Sequence, residues 1–291
     1  AADGSLFGEC TKEFKAMVEE KSNGSIIVDI YPNGQLGTVS EYVTGIQNGT
    51  IDLAPAVTSF VANFCPNVSV FEMPFLFEDY DHVWEALDGS VGETLTADLE
   101  ANNIIPLIWW GIGFRNVTTS ENHPINSVED LKGFRIRIMQ SEIQQSLFQA
   151  LGADAVPMDW GELYTALQQG TVDGEENPYT QVFSSNIWEV NPIIVETKHE
   201  FSPSVFMMSP SVAGKLSEDQ MNILYECAEA CKPIFRQATV DINDEALQSL
   251  QDAGCSFVNT LDAAELQAAT ASVYDEYPEY SELVDAIRAL R

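Results

Sequence analysis

Asp130-Leu131-Lys132-Gly133-Phe134-Arg135-Ile136-Arg137-Ile138, followed by a helix start at Ser141, decides the fold together with a second stretch. That stretch is Leu167-Gln168-Gln169-Gly170-Thr171-Val172-Asp173-Gly174-Glu175-Glu176-Asn177-Pro178. Residues 134–138 alternate as a strand does, with Arg137 near the carboxyl end. Ser141 with Gln144, and Asp159 with Glu162, have the N-cap and N3 spacing of capping boxes, so helices follow. Helical and extended patterns alternate throughout the chain, which predicts α/β architecture. Arg137 then lies at both a strand end and a helix N-terminus, and both favour anions. The competing reading is an internal ion pair with one of the many carboxylates. Pro178 holds Asn177 extended, where its amide can donate to a carboxylate oxygen. The competing reading there is an ordinary turn.

The same alternation continues outward in both directions. A helix is expected over residues 5–21, with Phe7, Cys10, Phe14, Met17 and Val18 on one face. Residues 25–31 read as an extended, β-branched segment ended by the turn Pro32-Asn33-Gly34. A further helix ends at Asn48 with Gly49 as its cap. Residues 104–110 read as a buried strand. Asp262 with Glu265 marks a late helix start, and residues 218–253 read as one long helix that Pro233 would kink. Ile46-Gln47-Asn48-Gly49-Thr50-Ile51-Asp52 echoes Leu167 to Asp173. The echo is either chance or the mark of two similarly built domains, whose crevice would hold the ligand.

Composition narrows the function. The chain has 291 residues and 45% hydrophobic content, enough for a sizeable core, and its apolar runs are too short to span a bilayer. A soluble protein is therefore expected, in mature form if it is exported. With 13 Lys+Arg against 45 Asp+Glu, the net charge of −32 disfavours nucleic acid and anionic membrane as partners. No basic residue lies between Lys21 and Arg115. Arg115, Lys132, Arg135 and Arg137 then follow, and the next is Lys198. The cluster is either an anion site, for which guanidinium groups suit a carboxylate, or a set of surface charges. The five cysteines, Cys10, Cys65, Cys227, Cys231 and Cys255, argue against a full disulfide framework and leave a single disulfide open. Cys227 and Cys231 are expected as buried thiols, not half of a metal site. No metal or other cofactor is expected.

The stretch 130–137 resembles the signature of solute-binding proteins of tripartite ATP-independent periplasmic (TRAP) transporters. So do Leu151-Gly152-Ala153, Pro157-Met158 and the long run from Glu162 to Pro178, with Met73-Pro74-Phe75-Leu76-Phe77 and Gly113-Phe114-Arg115 upstream. The resemblance covers essentially the whole chain. It implies a two-domain α/β periplasmic-binding-protein-like fold, a ligand cleft between the domains and a long helix spanning both. Domain I would comprise 1–112 and 203–242, and domain II 113–202 and 243–291. It implies that Arg137 pairs with a ligand carboxylate, that Asn177 helps, and that Arg115 lies in the same site. Gln140 and Trp160 match positions touching the rest of the ligand. Glu72 lies near another lining position, and His199 is either a ligand contact or a residue supporting the site from behind. Relatives open with a β-strand, and Ala1-Ala2-Asp3-Gly4-Ser5 reads as the loop after it.

The expected function is thus extracytoplasmic capture of a small organic acid and delivery to the membrane subunits of a TRAP transporter. A sugar acid such as a uronate or aldonate suits Glu72, Gln140, Trp160 and Asn177; a C4-dicarboxylate would need a second cation, which Arg115 could supply. A sensory binding protein would use the same site. A lyase or hydrolase is the rival class, but His82, His123 and His199 have no metal-ligand spacing, and no nucleophile elbow or phosphate loop is present. Asp79, Asp81, Glu175 and Glu176 read as solvated surface in so acidic a chain.

Overall fold

The structure is a computed structural model that describes residues 5–291. The expected loop at Ala1–Gly4 lies outside the described residues. The chain forms two compact units. One comprises the stretch up to Val68, Trp84–Ile112 and Pro203–Ile242; the other comprises Ser69–Val83, Gly113–Ser202 and Asn243–Arg291. Ser69–Val83, which the sequence reading placed in the first domain, groups with the second unit.

Seven strands are present among the described residues: β1 (Leu53–Val57), β2 (Ile105–Thr119), β3 (Arg135–Ile138), β4 (Asp154–Pro157), β5 (Gly174–Asn177), β6 (Ile193–Met208) and β7 (Ser256–Val258). In the first unit, β1 pairs antiparallel with the end of β6, from Leu53 opposite Met208 to Val57 opposite Ser204. The helix Leu6–Lys21 is capped by Ser5, whose hydroxyl accepts from the Gly8 N–H. It buries Leu6, Cys10, Phe14 and Val18. Phe14 meets Phe206 edge to face, and Trp110 meets Phe235 in the same way. Such pairs add to area burial because ring edges and faces carry opposite partial charge.

Residues 25–31 form no strand. The helix before them satisfies their backbone instead: Val28 N–H donates to the Glu19 carboxylate, and Lys15 Nζ donates to Val28 O. The Pro32–Gly34 turn forms, with Asn33 and Gly34 both at positive φ. Gly49 takes a left-handed conformation at φ 80° and ends the helix Val39–Asn48. A Cβ there would lie 2.9 Å from Ser211, so glycine is required by both backbone and space.

In the second unit the sheet order is β6-β2-β5-β3-β4, with β7 parallel on β6. β3 and β4 are parallel and joined by the helix Glu142–Ala150. The next helix, Trp160–Gln168, returns the chain to β5, parallel to β3 on its other side. One helix packs Leu147 and Phe148 with Ile136 and Ile138 of β3; the other packs Leu163 and Leu167 with Val172. The connections leaving β3 and entering β5 thus run in opposite directions across the sheet. Carboxyl ends of strands at such a divergence open a crevice. The echoed segments share backbone bonds: Thr50 N–H donates to Gly45 O and Thr171 N–H to Ala166 O, each at 2.9 Å, and Gly49 N–H donates to Ile46 O as Gly170 N–H does to Leu167 O.

None of the three expected capping boxes closes reciprocally. Asp159 makes no side-chain cap bond, and Ser141 caps Gln144 N–H while the Gln144 side chain turns to Met139 N–H and Glu200. Asp262 caps Ala264 N–H. The long helix runs Glu218–Asp252 as one element through Pro233. All five cysteines are free thiols.

Candidate anion-binding site

Of the four clustered cations, three have carboxylate partners. Lys132 pairs with Glu129 on the surface, and Arg135 with Asp173. Arg115 lies on β2 with no exposed surface, and its Nε and Nη2 fork onto the Glu176 carboxylate. Its Nη2 also donates to Glu176 O at 2.6 Å, and Nη1 to Ser202 Oγ at 2.8 Å. Burial disfavours both charges, yet each sustains the other. Arg115 is raised above its usual pKa, and Glu176 is held below the carboxylate range by Arg115 and His199.

Arg137 has no such partner. It is 1% exposed, yet none of the described carboxylates forms an ion pair with it. Nε and Nη2 both donate to Met158 O, at 3.0 and 2.7 Å, while buried Nη1 has no hydrogen-bond partner. Burial lowers its pKa, opposed by the more distant charges of Glu176 and Glu175. Its guanidinium lies 5.7 Å from the ring centre of Trp160, which is 37% exposed. A buried cation with an empty donor is costly unless an anion completes it.

The other expected residues each bond a partner within the second unit. Asn177, at the end of β5, is buried and its amide donates to Glu175 Oε2. Glu175 also accepts from Thr118 Oγ1 at 2.9 Å. Gln140 is exposed and reaches Asp159 Oδ1 at 3.3 Å. Glu72 is buried and accepts from the Ser141 hydroxyl, so it faces a helix cap. His199 is buried between Thr197 and Glu176, with Nε2 3.1 Å from Glu176 Oε2. Burial lowers its pKa against the pull of Glu176, and the neutral ring donating to Glu176 and accepting from Thr197 fits both contacts. It supports Glu176 from behind.

The reading of Glu175 and Glu176 as solvated surface is overturned. Neither has exposed surface: Arg115 and His199 bond Glu176, and Thr118 and Asn177 bond Glu175, on a strand that lies between β2 and β3. Burial pushes Glu175 up to about 7. Sequence reasoning also missed Gln144 and Glu200, which are buried and bonded at 2.9 Å. Position on an interior strand of a mixed sheet was the available signal for the two glutamates.

The sequence matches the family described as bacterial extracellular solute-binding protein, family 7, over residues 1–280. This chain belongs to that family. A C4-dicarboxylate-binding periplasmic protein, DctP, from Rhodobacter capsulatus is 30% identical over 288 residues, 97% of this chain and 86% of that protein. A sugar acid binding protein from Advenella mimigardefordensis, solved with galactonate, superposes with a TM-score of 0.94 at 30% identity, covering 100% of this chain and 96% of that one. A TRAP periplasmic solute-binding protein from Polaromonas sp. JS666, solved with D-erythronate, gives 0.94 at 31% identity, covering 99% and 95%. Family 7 membership gives the chain a two-domain TRAP solute-binding fold and an extracytoplasmic place of action. The family binds solutes for transport. Among the described residues no helix is long and apolar enough to cross a membrane.

Proposed function

We propose that this family 7 chain captures a hydroxylated monocarboxylic acid of the sugar-acid class, with Arg137 and Asn177 holding the carboxylate, and delivers it to TRAP membrane subunits. The observation that carries the reading is Arg137: buried, without a carboxylate partner and with Nη1 unsatisfied. A ligand carboxylate supplies both the charge and the acceptor, and the pairing is strong because the group is already removed from water.

The sugar-acid preference follows from charge. Glu176 already neutralises Arg115, so Arg137 is the one member of the basic cluster left for an anion. A second ligand carboxylate would find no other cation of this cluster without a carboxylate partner. Hydroxyl groups fit better, with Gln140 as a polar contact and the Trp160 face packing against the carbon chain. Galactonate and D-erythronate in the two solved relatives belong to this class.

A thermal-shift screen tests the class. A ligand at about 100 times its dissociation constant adds roughly 2.7 kcal/mol, or roughly 5–10 °C for a chain of this size. Aldonates and uronates are expected to shift the melting point and succinate is not. The reverse pattern would overturn the sugar-acid assignment in favour of a C4-dicarboxylate.

A further inference from the structure

Glu175 is a fully buried carboxylate at the point where the proposed ligand carboxylate must dock. Three contacts define its place. In the parallel β3–β5 pairing it stands opposite Arg137. Its Oε1 accepts from Thr118 on β2, and its Oε2 takes the side-chain amide of Asn177. That amide is the donor a carboxylate beside Arg137 needs. The amide has two N–H groups, one for each carboxylate, and this sets two like charges on one nitrogen in a site removed from water.

Like charges in such a setting do not both stay ionised; one takes up a proton. A ligand carboxyl resembling an α-carboxyl has a pKa of about 3.5, so at neutral pH the proton goes to the glutamate. Protonated Glu175 no longer needs the Asn177 amide and presents an O–H donor of its own. We propose that capture of the ligand carboxylate is coupled to uptake of one proton from solvent at Glu175. The site then takes an acid anion and a proton together, with no net change of charge.

This deepens the reading of Arg137 and Asn177 as the carboxylate partners and rests on it. The surrounding charges agree with it. Arg137 on β3 and Arg115 on β2 favour ionised Glu175, and Glu176 on its own strand opposes it. Arg115 is neutralised by Glu176, and His199 and Glu200 on β6 act on Glu176. An anion on Arg137 offsets the attraction that Arg137 exerts on ionised Glu175. In the ligand-free protein, burial already pushes Glu175 up to about 7, so a modest further push moves the proton within the neutral range.

By reciprocity, protonation raises ligand affinity by the factor by which ligand raises proton affinity. The affinity is full below pH 7 and weakens as pH rises through the ligand-free pKa. Calorimetric titration with galactonate and with D-erythronate from pH 6.0 to 8.5, in buffers of different ionisation enthalpy, reads this directly. The expected result is a dissociation constant that rises about twentyfold across the range, with roughly 0.7 proton taken up per ligand at pH 7.5. Glu175→Gln, checked for cooperative unfolding, is expected to flatten the profile to within about twofold and abolish proton uptake.

A flat profile with no proton uptake in the native protein overturns the proposal, whatever the variant does. A pH dependence that survives Glu175→Gln places the proton on another group, such as Glu200 or His199, and also overturns it. Arg137→Met separates the two levels. If it binds both acids as the native protein does, the underlying reading fails. If binding requires Arg137 but moves no proton, only the coupling fails.

Discussion

Arg137→Met pulls stability and binding in opposite directions. The ligand-free protein holds a guanidinium that is 1% exposed, with Nη1 unsatisfied and no ion-pair partner. Removing an ion from water costs several kcal/mol, and apolar replacement of buried ionic groups is often stabilising by about 1–4 kcal/mol. Against this, Met158 O loses two donors, a loss of about 1–2 kcal/mol. The net expectation at pH 6, where Glu175 is mostly protonated, is a gain of about 1 kcal/mol, or about 2–4 °C in Tm. Differential scanning calorimetry of the ligand-free proteins measures it. A variant that melts several degrees below the native protein would show that Arg137 is a structural ion, and the reasoning from its missing partner would fail.

Arg115→Met has the opposite consequence. It leaves Glu176 buried without its partner, so a loss of about 3–5 kcal/mol is expected in urea unfolding; a change under 1 kcal/mol would contradict the buried pair. Glu175→Gln makes the ligand-free protein more stable at pH 8 than at pH 5, relative to native. Its folded pKa of about 7 lies above the unfolded value, so native stability falls as pH rises between the two. A difference independent of pH would refute that burial. Gly174→Ala would place a Cβ 2.2 Å from Thr118 O. It is expected to disrupt β5 and lower Tm by several degrees, whereas a native melting curve would show that β2 and β5 are less tightly apposed.

The elements that were legible in the sequence are those fixed by local chemistry. Ser5 and Gly49 announce helix ends through a hydroxyl cap and a left-handed turn, and β3 announces itself by alternation. Residues 25–31 carry strand-like composition, but a strand needs a ladder, and here Glu19 and Lys15 take the backbone groups instead. β6 is hidden because Glu200, Ser202 and Ser204 interrupt its apolar run, although all three are buried.

The site divided in the same way. Arg137, Asn177 and Arg115 stand out by motif and position. Their different roles do not, because pairing with Glu176 is a contact between strands 61 residues apart in sequence. Composition misled most at Glu175 and Glu176. An acidic surface is an average, and these two lie inside the sheet.

Calorimetric titration of galactonate into native protein and Arg137→Met at pH 7 tests the central claim most directly. Loss of a desolvated carboxylate partner costs about 2–5 kcal/mol, so the account predicts affinity at least roughly 30-fold weaker in the variant. Native-like binding by Arg137→Met, within about threefold, would contradict it.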